Sequence, residues 1–137
     1  MASAKGGCLC GAVRYECSAD PVFMGNCHCR DCQQLSGSAY AAAIGVPRSA
    51  LKITGDVKYY ESKADSGNMA KRGFCPACGS PLFSLPPFAP DLIVLRAASL
   101  DDPSIFKPAV NIYTSSAQPW DLMDPALPKF PKMPPMN

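Results

Sequence analysis

The apolar and β-branched positions of this chain fall in short runs separated by turn residues, and almost nowhere at helical spacing. Runs at 13–17, 39–46, 51–54, 57–60, 69–74, 92–97 and 110–114 read as strands. So many short strands predict a mainly β fold with antiparallel sheets. Thr54-Gly55-Asp56 lies between two alternating runs and predicts a hairpin, and Ser66-Gly67-Asn68 predicts another. One short helix is expected over 30–36, ended by Gly37 at the position where a left-handed residue stops a helix.

The pattern changes at Pro119. Six of the nineteen residues from 119 to 137 are proline, which rules out a helix or a central strand there. Apolar residues still punctuate the segment at Trp120, Leu122, Leu127 and Phe130, so it reads as an extended strap laid over the domain, with Trp120 as its anchor. A length of 137 residues has room for one domain, since domains run to roughly 150 residues. Residues 1–137 are therefore expected to form a single unit with a proline-rich strap at 119–137.

Apolar residues make up 47% of the chain and charged residues 18%, enough apolar content for a core and too little charge for wholesale disorder. The net charge of +2 comes from basic residues scattered singly, which argues against a nucleic-acid binder. No apolar run reaches the roughly 18 residues a membrane helix needs, and the first eleven residues lack the apolar stretch of a secretory signal. A cytoplasmic location is expected. That expectation decides how the eight cysteines are read, because a reducing compartment keeps thiols free and clustered thiols there more often hold a metal than form disulfides.

Seven of the eight fall in tight clusters: Cys8-Leu9-Cys10, Cys27-His28-Cys29-Arg30-Asp31-Cys32, and Cys75-Pro76-Ala77-Cys78-Gly79. A closed structural zinc site takes four ligands in a tetrahedron. Cys75 and Cys78 form a hairpin whose two sulfurs can face one point, with Gly79 allowing the chain to reverse. Cys8 and Cys10 can supply the second pair if they lie on a turn. The two pairs are more than sixty residues apart, so such a metal would staple an N-terminal strand to a late hairpin.

The middle cluster offers three thiolates, Cys27, Cys29 and Cys32. Three protein ligands are the pattern of a catalytic zinc, whose remaining position takes water or substrate. Three thiolates on a divalent ion leave it net negative, which disfavours hydroxide generation and favours a soft partner such as a thiol. Arg30 and the pair Lys71-Arg72 are candidates to seat an anionic thiol. His28 sits between two of the cysteines and is open to two roles, as a competing ligand or as an acid/base; its position in sequence turns its side chain away from theirs. Cys17 alternates with Val13 and Tyr15 and reads as a buried strand thiol.

Several ordered segments resemble the glutathione-dependent formaldehyde-activating enzyme family, whose wider membership includes the centromere protein V group. They are residues 7–15 with Cys8 and Cys10, residues 27–32 followed by Ser36-Gly37, and residues 74–80 with Cys75 and Cys78. The likeness continues through Ala98-Ser99-Leu100-Asp101-Asp102-Pro103 and Ile112-Tyr113 to Trp120. The resemblance implies a zinc-stapled β fold of the Mss4-like, or β-tent, type, with a structural zinc on Cys8, Cys10, Cys75 and Cys78 and a catalytic zinc on Cys27, Cys29 and Cys32. It implies a carbon–sulfur lyase that interconverts S-hydroxymethylglutathione with glutathione and formaldehyde. Asn111 stands where many members carry histidine, which leaves His28 as the chain's single histidine. Two other readings stay open: a sulfur redox protein using Cys17 or a cluster cysteine, and a non-catalytic zinc-stabilised binding module.

Overall fold

A computed structural model describes residues 4–134. Ten strands and one α-helix are found among the described residues: β1 (Ala4–Gly7), β2 (Arg14–Cys17), β3 (Phe23–Cys27), α1 (Arg30–Ser36), β4 (Ala41–Pro47), β5 (Leu51–Thr54), β6 (Lys58–Lys63), β7 (Met69–Phe74), β8 (Pro81–Leu85), β9 (Leu92–Arg96) and β10 (Asn111–Ile112). A three-stranded sheet has the order β1-β2-β5, and a seven-stranded sheet the order β10-β3-β4-β9-β8-β7-β6. The fold is mainly β, as the short apolar runs predict. All strand pairs are antiparallel except β10 with β3, which run parallel.

Helix α1 occupies the expected span, and Gly37 caps it with φ +68° while its N–H reaches back to Gln33 O. Ser66-Gly67-Asn68 closes the β6–β7 hairpin, Gly67 taking φ +87°. The other expected hairpin does not form. β5 pairs with β2 and β6 with β7, so Thr54-Gly55-Asp56 carries the chain from one sheet to the other. Gly55 has φ +98° there and lies so close to the Ala12 carbonyl that a Cβ would come within 2.1 Å of its oxygen.

Three strands are not legible as apolar runs. β1 reads Ala-Lys-Gly-Gly, β3 reads Phe-Met-Gly-Asn-Cys, and β8 begins with proline. Close packing selects the small residues: a Cβ on Gly6 would fall 2.4 Å from both the Tyr15 hydroxyl and the Ser99 carbonyl oxygen. The core lies where Val13, Tyr15 and Cys17 meet Ile44, Val46, Phe83, Ile93 and Leu95. Tyr15 and Phe83 pack edge to face with centroids 5.4 Å apart, and the Tyr15 hydroxyl lies 2.6 Å from Ser99 Oγ. Burial pushes the Tyr15 phenol up to about 12.

The segment after Pro119 runs along the β10 edge. Asn111 N–H donates to Pro128 O and Phe130 N–H to Asn111 O, both at 2.9 Å, and Thr114 N–H donates to Phe130 O. These bonds satisfy an edge that β10 alone would leave open. Trp120 is not the anchor the sequence suggests. It is 65% exposed and Leu122 is 94% exposed, while the side chain of the intervening Asp121 is buried. Proline spacing holds the backbone extended, and a buried polar contact fixes it. Residues 135–137 of the expected strap lie outside the described residues.

Candidate metal centres

Cys8 and Cys10 follow β1 on a turn closed by Gly11 N–H to Cys8 O. Cys75 and Cys78 lie in the β7–β8 connection, where Gly79 takes φ +78° and returns its N–H to Cys75 O. Leu9 N–H donates to Ser80 Oγ at 3.0 Å and clips the two turns together. The four sulfurs lie within 4.8 Å of one another. Cys8 Sγ is 3.6 Å from Cys10 Sγ, which in turn is 3.8 Å from Cys75 Sγ. A tetrahedral zinc with Zn–S bonds of about 2.3 Å spaces its sulfurs about 3.8 Å apart, so donor type and spacing both fit that ion. The Ser80 hydroxyl and N–H hold Cys78 down to about 5, and Val13 N–H donates to Cys8 Sγ at 3.2 Å. Both contacts favour the thiolate that a metal needs.

The second group is built around the start of α1. Cys27 ends β3, Cys29 is the helix N-cap, and Cys32 lies in the first turn; their sulfurs also fall within 4.8 Å of one another. Cys29 Sγ accepts the Cys32 N–H at 3.3 Å. The neighbouring Cys27 and Cys32 thiols, acting as donors, hold Cys29 far below the ordinary thiol range, and the same contacts push Cys27 up. No further histidine, cysteine or carboxylate joins this group among the described residues. The two clusters could each hold a metal ion, one with four soft donors and one with three.

His28 turns away from the sulfurs, as its place between two cysteines suggests. It is fully buried, with Nδ1 2.5 Å from Asp121 Oδ2 and Nε2 2.8 Å from Asn111 Oδ1. Both ring nitrogens thus face oxygens of the chain, and neither is directed at the cluster. Tyr40 packs on the ring at 5.2 Å. Gln33 completes the clamp by donating to His28 O at 2.6 Å and Ser116 O at 2.9 Å. Asn111 is therefore a buried partner of His28. A cleft of about 460 Å³ opens beside this pair, lined by Asn26, Tyr40, Phe106 and Leu122 among others.

The basic candidates separate. Arg30 bonds along its own helix to Gln33 Oε1, and Lys71 pairs outward with Glu61 at 3.3 Å. Arg72 is brought to the three-cysteine group: it bonds Ser62 Oγ at 2.8 Å, lies 3.9 Å from Asp31 Oδ2, and its charge helps to hold Cys29 down. Cys17 is 1% exposed within β2 and joins neither sulfur group, the buried strand thiol its alternation predicts. Three residues at the site escape sequence reading. Arg96, at the end of β9, is buried and acts on Cys32; Asp121 holds His28; and Tyr113 takes φ +57°, a left-handed backbone rare for a residue with a side chain. Tyr113 feels the charge of all three cysteines, and its phenol is pushed up mainly by burial. Only its place beside Ile112 in the motif hints at this.

The architecture and the paired sulfur clusters define a β protein organised around metal-competent cysteine sites. Residues 3–116 match the model of the glutathione-dependent formaldehyde-activating enzyme family, and the chain belongs to that family. Among solved structures it is similar to a Rhodobacter sphaeroides protein determined in a structural genomics programme. That likeness has 22% identity and a TM-score of 0.59, and covers 91% of this chain and 98% of the other. It supports the fold alone. No curated protein matches the sequence. Among the described residues no helix is long and apolar enough to cross a membrane.

Proposed function

We propose that this protein is a cytoplasmic zinc-dependent carbon–sulfur lyase that interconverts a glutathione-type thiol and formaldehyde, or a related aldehyde, with the S-hydroxymethyl adduct. The observation that carries this reading is the pair of unlike clusters: four sulfurs spaced for a closed tetrahedron, and three converging sulfurs with no further protein donor among the described residues. Cys8, Cys10, Cys75 and Cys78 hold a structural zinc that ties the β1 turn to the β7–β8 connection, as in an Mss4-like fold. Cys27, Cys29 and Cys32 hold a catalytic one. Zinc there supplies a Lewis-acid centre that lowers the pKa of a thiol and fixes its position.

In the synthetic direction the thiol sulfur attacks the carbonyl carbon, a C–S bond forms, the C=O π bond breaks onto oxygen, and the proton lost by the thiol ends on that oxygen. The lyase direction reverses each of these. The chain's contribution is position and charge. His28, gripped by Asp121, Asn111 and Gln33, fixes the backbone between Cys27 and Cys29. Tyr113 lies within the field of the three sulfurs.

The test is to follow adduct formation by NMR exchange with glutathione and formaldehyde in the presence of zinc-loaded protein. Acceleration over the spontaneous reaction is expected, and its absence at micromolar protein rejects the activity. Metal stoichiometry separates the two centres. Wild type should hold two zincs and Cys29→Ser one, with an unchanged circular dichroism spectrum; one zinc in both removes the second centre.

A further inference from the structure

Arg96 is the least explained charge in the protein. It is 5% exposed, and its Nε and Nη1 are buried with no hydrogen-bond partner. A guanidinium has five N–H donors and stays charged, so leaving donors dry and unpaired is costly unless another group uses the charge.

Sheet register shows where that charge lies. Cys27 pairs with Ala41 and Arg96 with Ala43; Ala41 and Ala43 are two residues apart on β4, so all four share one face of the large sheet. The same face continues from Arg96 to Val94, on to its partner Ser84, and then to Arg72. Between Arg96 and Cys27 this face carries only two alanines, Ala41 and Ala43, among the smallest side chains a strand can place there. Arg72 is also incompletely satisfied: its side chain is 16% exposed and its Nε is buried without a partner.

We propose that Arg96, with Arg72 at the rim, makes the three-cysteine centre selective for an anionic ligand over a neutral one. The inference rests on the reading of Cys27, Cys29 and Cys32 as a metal centre. Three thiolates and a divalent ion carry one net negative charge, and an anionic fourth partner adds another. Arg96, whose buried Nε and Nη1 have no partner, offsets one of those charges, and Arg72, which lies 3.9 Å from the Asp31 carboxylate, offsets part of the other. A neutral partner gains nothing from either guanidinium. The ligand class selected is a thiolate or another soft anion, so Arg96 and Arg72 act as specificity-determining residues through the field they place on the site.

The test uses cobalt-loaded protein, whose visible absorption reports on ligands at a thiolate-bound centre without requiring turnover. Thiocyanate and imidazole serve as the anionic and neutral probes. In Arg96→Met the thiocyanate affinity should fall roughly tenfold to a hundredfold, the range for a charge several ångströms away at an effective dielectric near 20. Imidazole affinity should change less than about twofold, and Arg96→Lys should recover most of the preference. Arg72→Met, at a more exposed site, should lower thiocyanate affinity by a smaller factor, and it decides the matter if Arg96→Met does not fold. Equal losses for both probes, or no loss in either Met variant, overturn the proposal while leaving adduct formation intact. A wild type that binds one cobalt per chain overturns it together with the reading of the centre.

Discussion

Replacing Asp121 by alanine removes the carboxylate that touches His28 and tests whether the C-terminal strap supports the three-cysteine centre. The carboxylate is 1% exposed and its Oδ2 lies 2.5 Å from His28 Nδ1, while the imidazole itself is wholly buried. The two buried atoms meet at ion-pair distance without hydrogen-bond alignment, and deleting the carboxylate leaves the ring nitrogen facing no oxygen, a cost in the upper part of the roughly 1–3 kcal/mol of an unpaired buried polar group. A net destabilisation of about 2–3 kcal/mol follows. An unfolding entropy of about 2.1 cal/mol/K per residue gives a chain of 137 residues a shift of about 3–4 °C per kcal/mol. The melting temperature should therefore drop by about 7–10 °C in calorimetry. Because His28 lies between Cys27 and Cys29, the second zinc should also dissociate faster into a chelator than in wild type. Leu122→Ala, one residue further on and 94% exposed, is the control and should stay within about 0.5 kcal/mol. An Asp121→Ala protein that melts and releases zinc like wild type would refute the assignment of Asp121 as the strap's anchor.

Three other outcomes are expected. Cys75→Ser should lose the structural zinc and unfold largely at room temperature by circular dichroism, because such sites supply about 10–16 kcal/mol to domains whose whole stability is about 5–15; a wild-type melting curve would contradict it. Gly6→Ala forces a methyl to 2.4 Å from a backbone carbonyl and should cost about 1–3 kcal/mol in urea denaturation, with no change in metal content. Arg14 makes a bidentate contact with Asp101, at 2.9 and 2.5 Å, and its hydrogen bonds hold the Asp101 carboxyl below the usual range. A depressed carboxylate pKa stabilises the fold above the unfolded value near 4 and loses that stabilisation as pH falls through the folded value. The stability gap between wild type and Asp101→Asn should accordingly be widest at neutral pH and close below pH 4; a gap independent of pH would exclude the pair as its cause.

The sequence by itself determined the local features of this protein. Short apolar runs bounded by turns mark β5, β7 and β9 because a half-buried strand must present apolar residues to a core, and Gly37 ends α1 because few other residues take a left-handed backbone cheaply. The two cysteine groupings were equally legible, since ligand spacing within Cys75–Cys78 or Cys27–Cys32 is a property of a few consecutive residues. Tertiary structure decided whatever depends on residues far apart in the chain. Gly6 and Gly25 belong to strands because of what packs against them, which no local run reveals. Thr54-Gly55-Asp56 looks like a hairpin turn, yet pairing partners come from β2 and β7, and strand pairing is settled by register across the sheets. Trp120 carries the strongest apolar signal in the strap, but a buried carboxylate beside an imidazole holds the segment, because a polar contact shielded from water outweighs an aromatic ring left in it. Arg96 had no signal at all: its relation to Cys27, 69 positions earlier in the chain, exists only through the pairing of β3, β4 and β9.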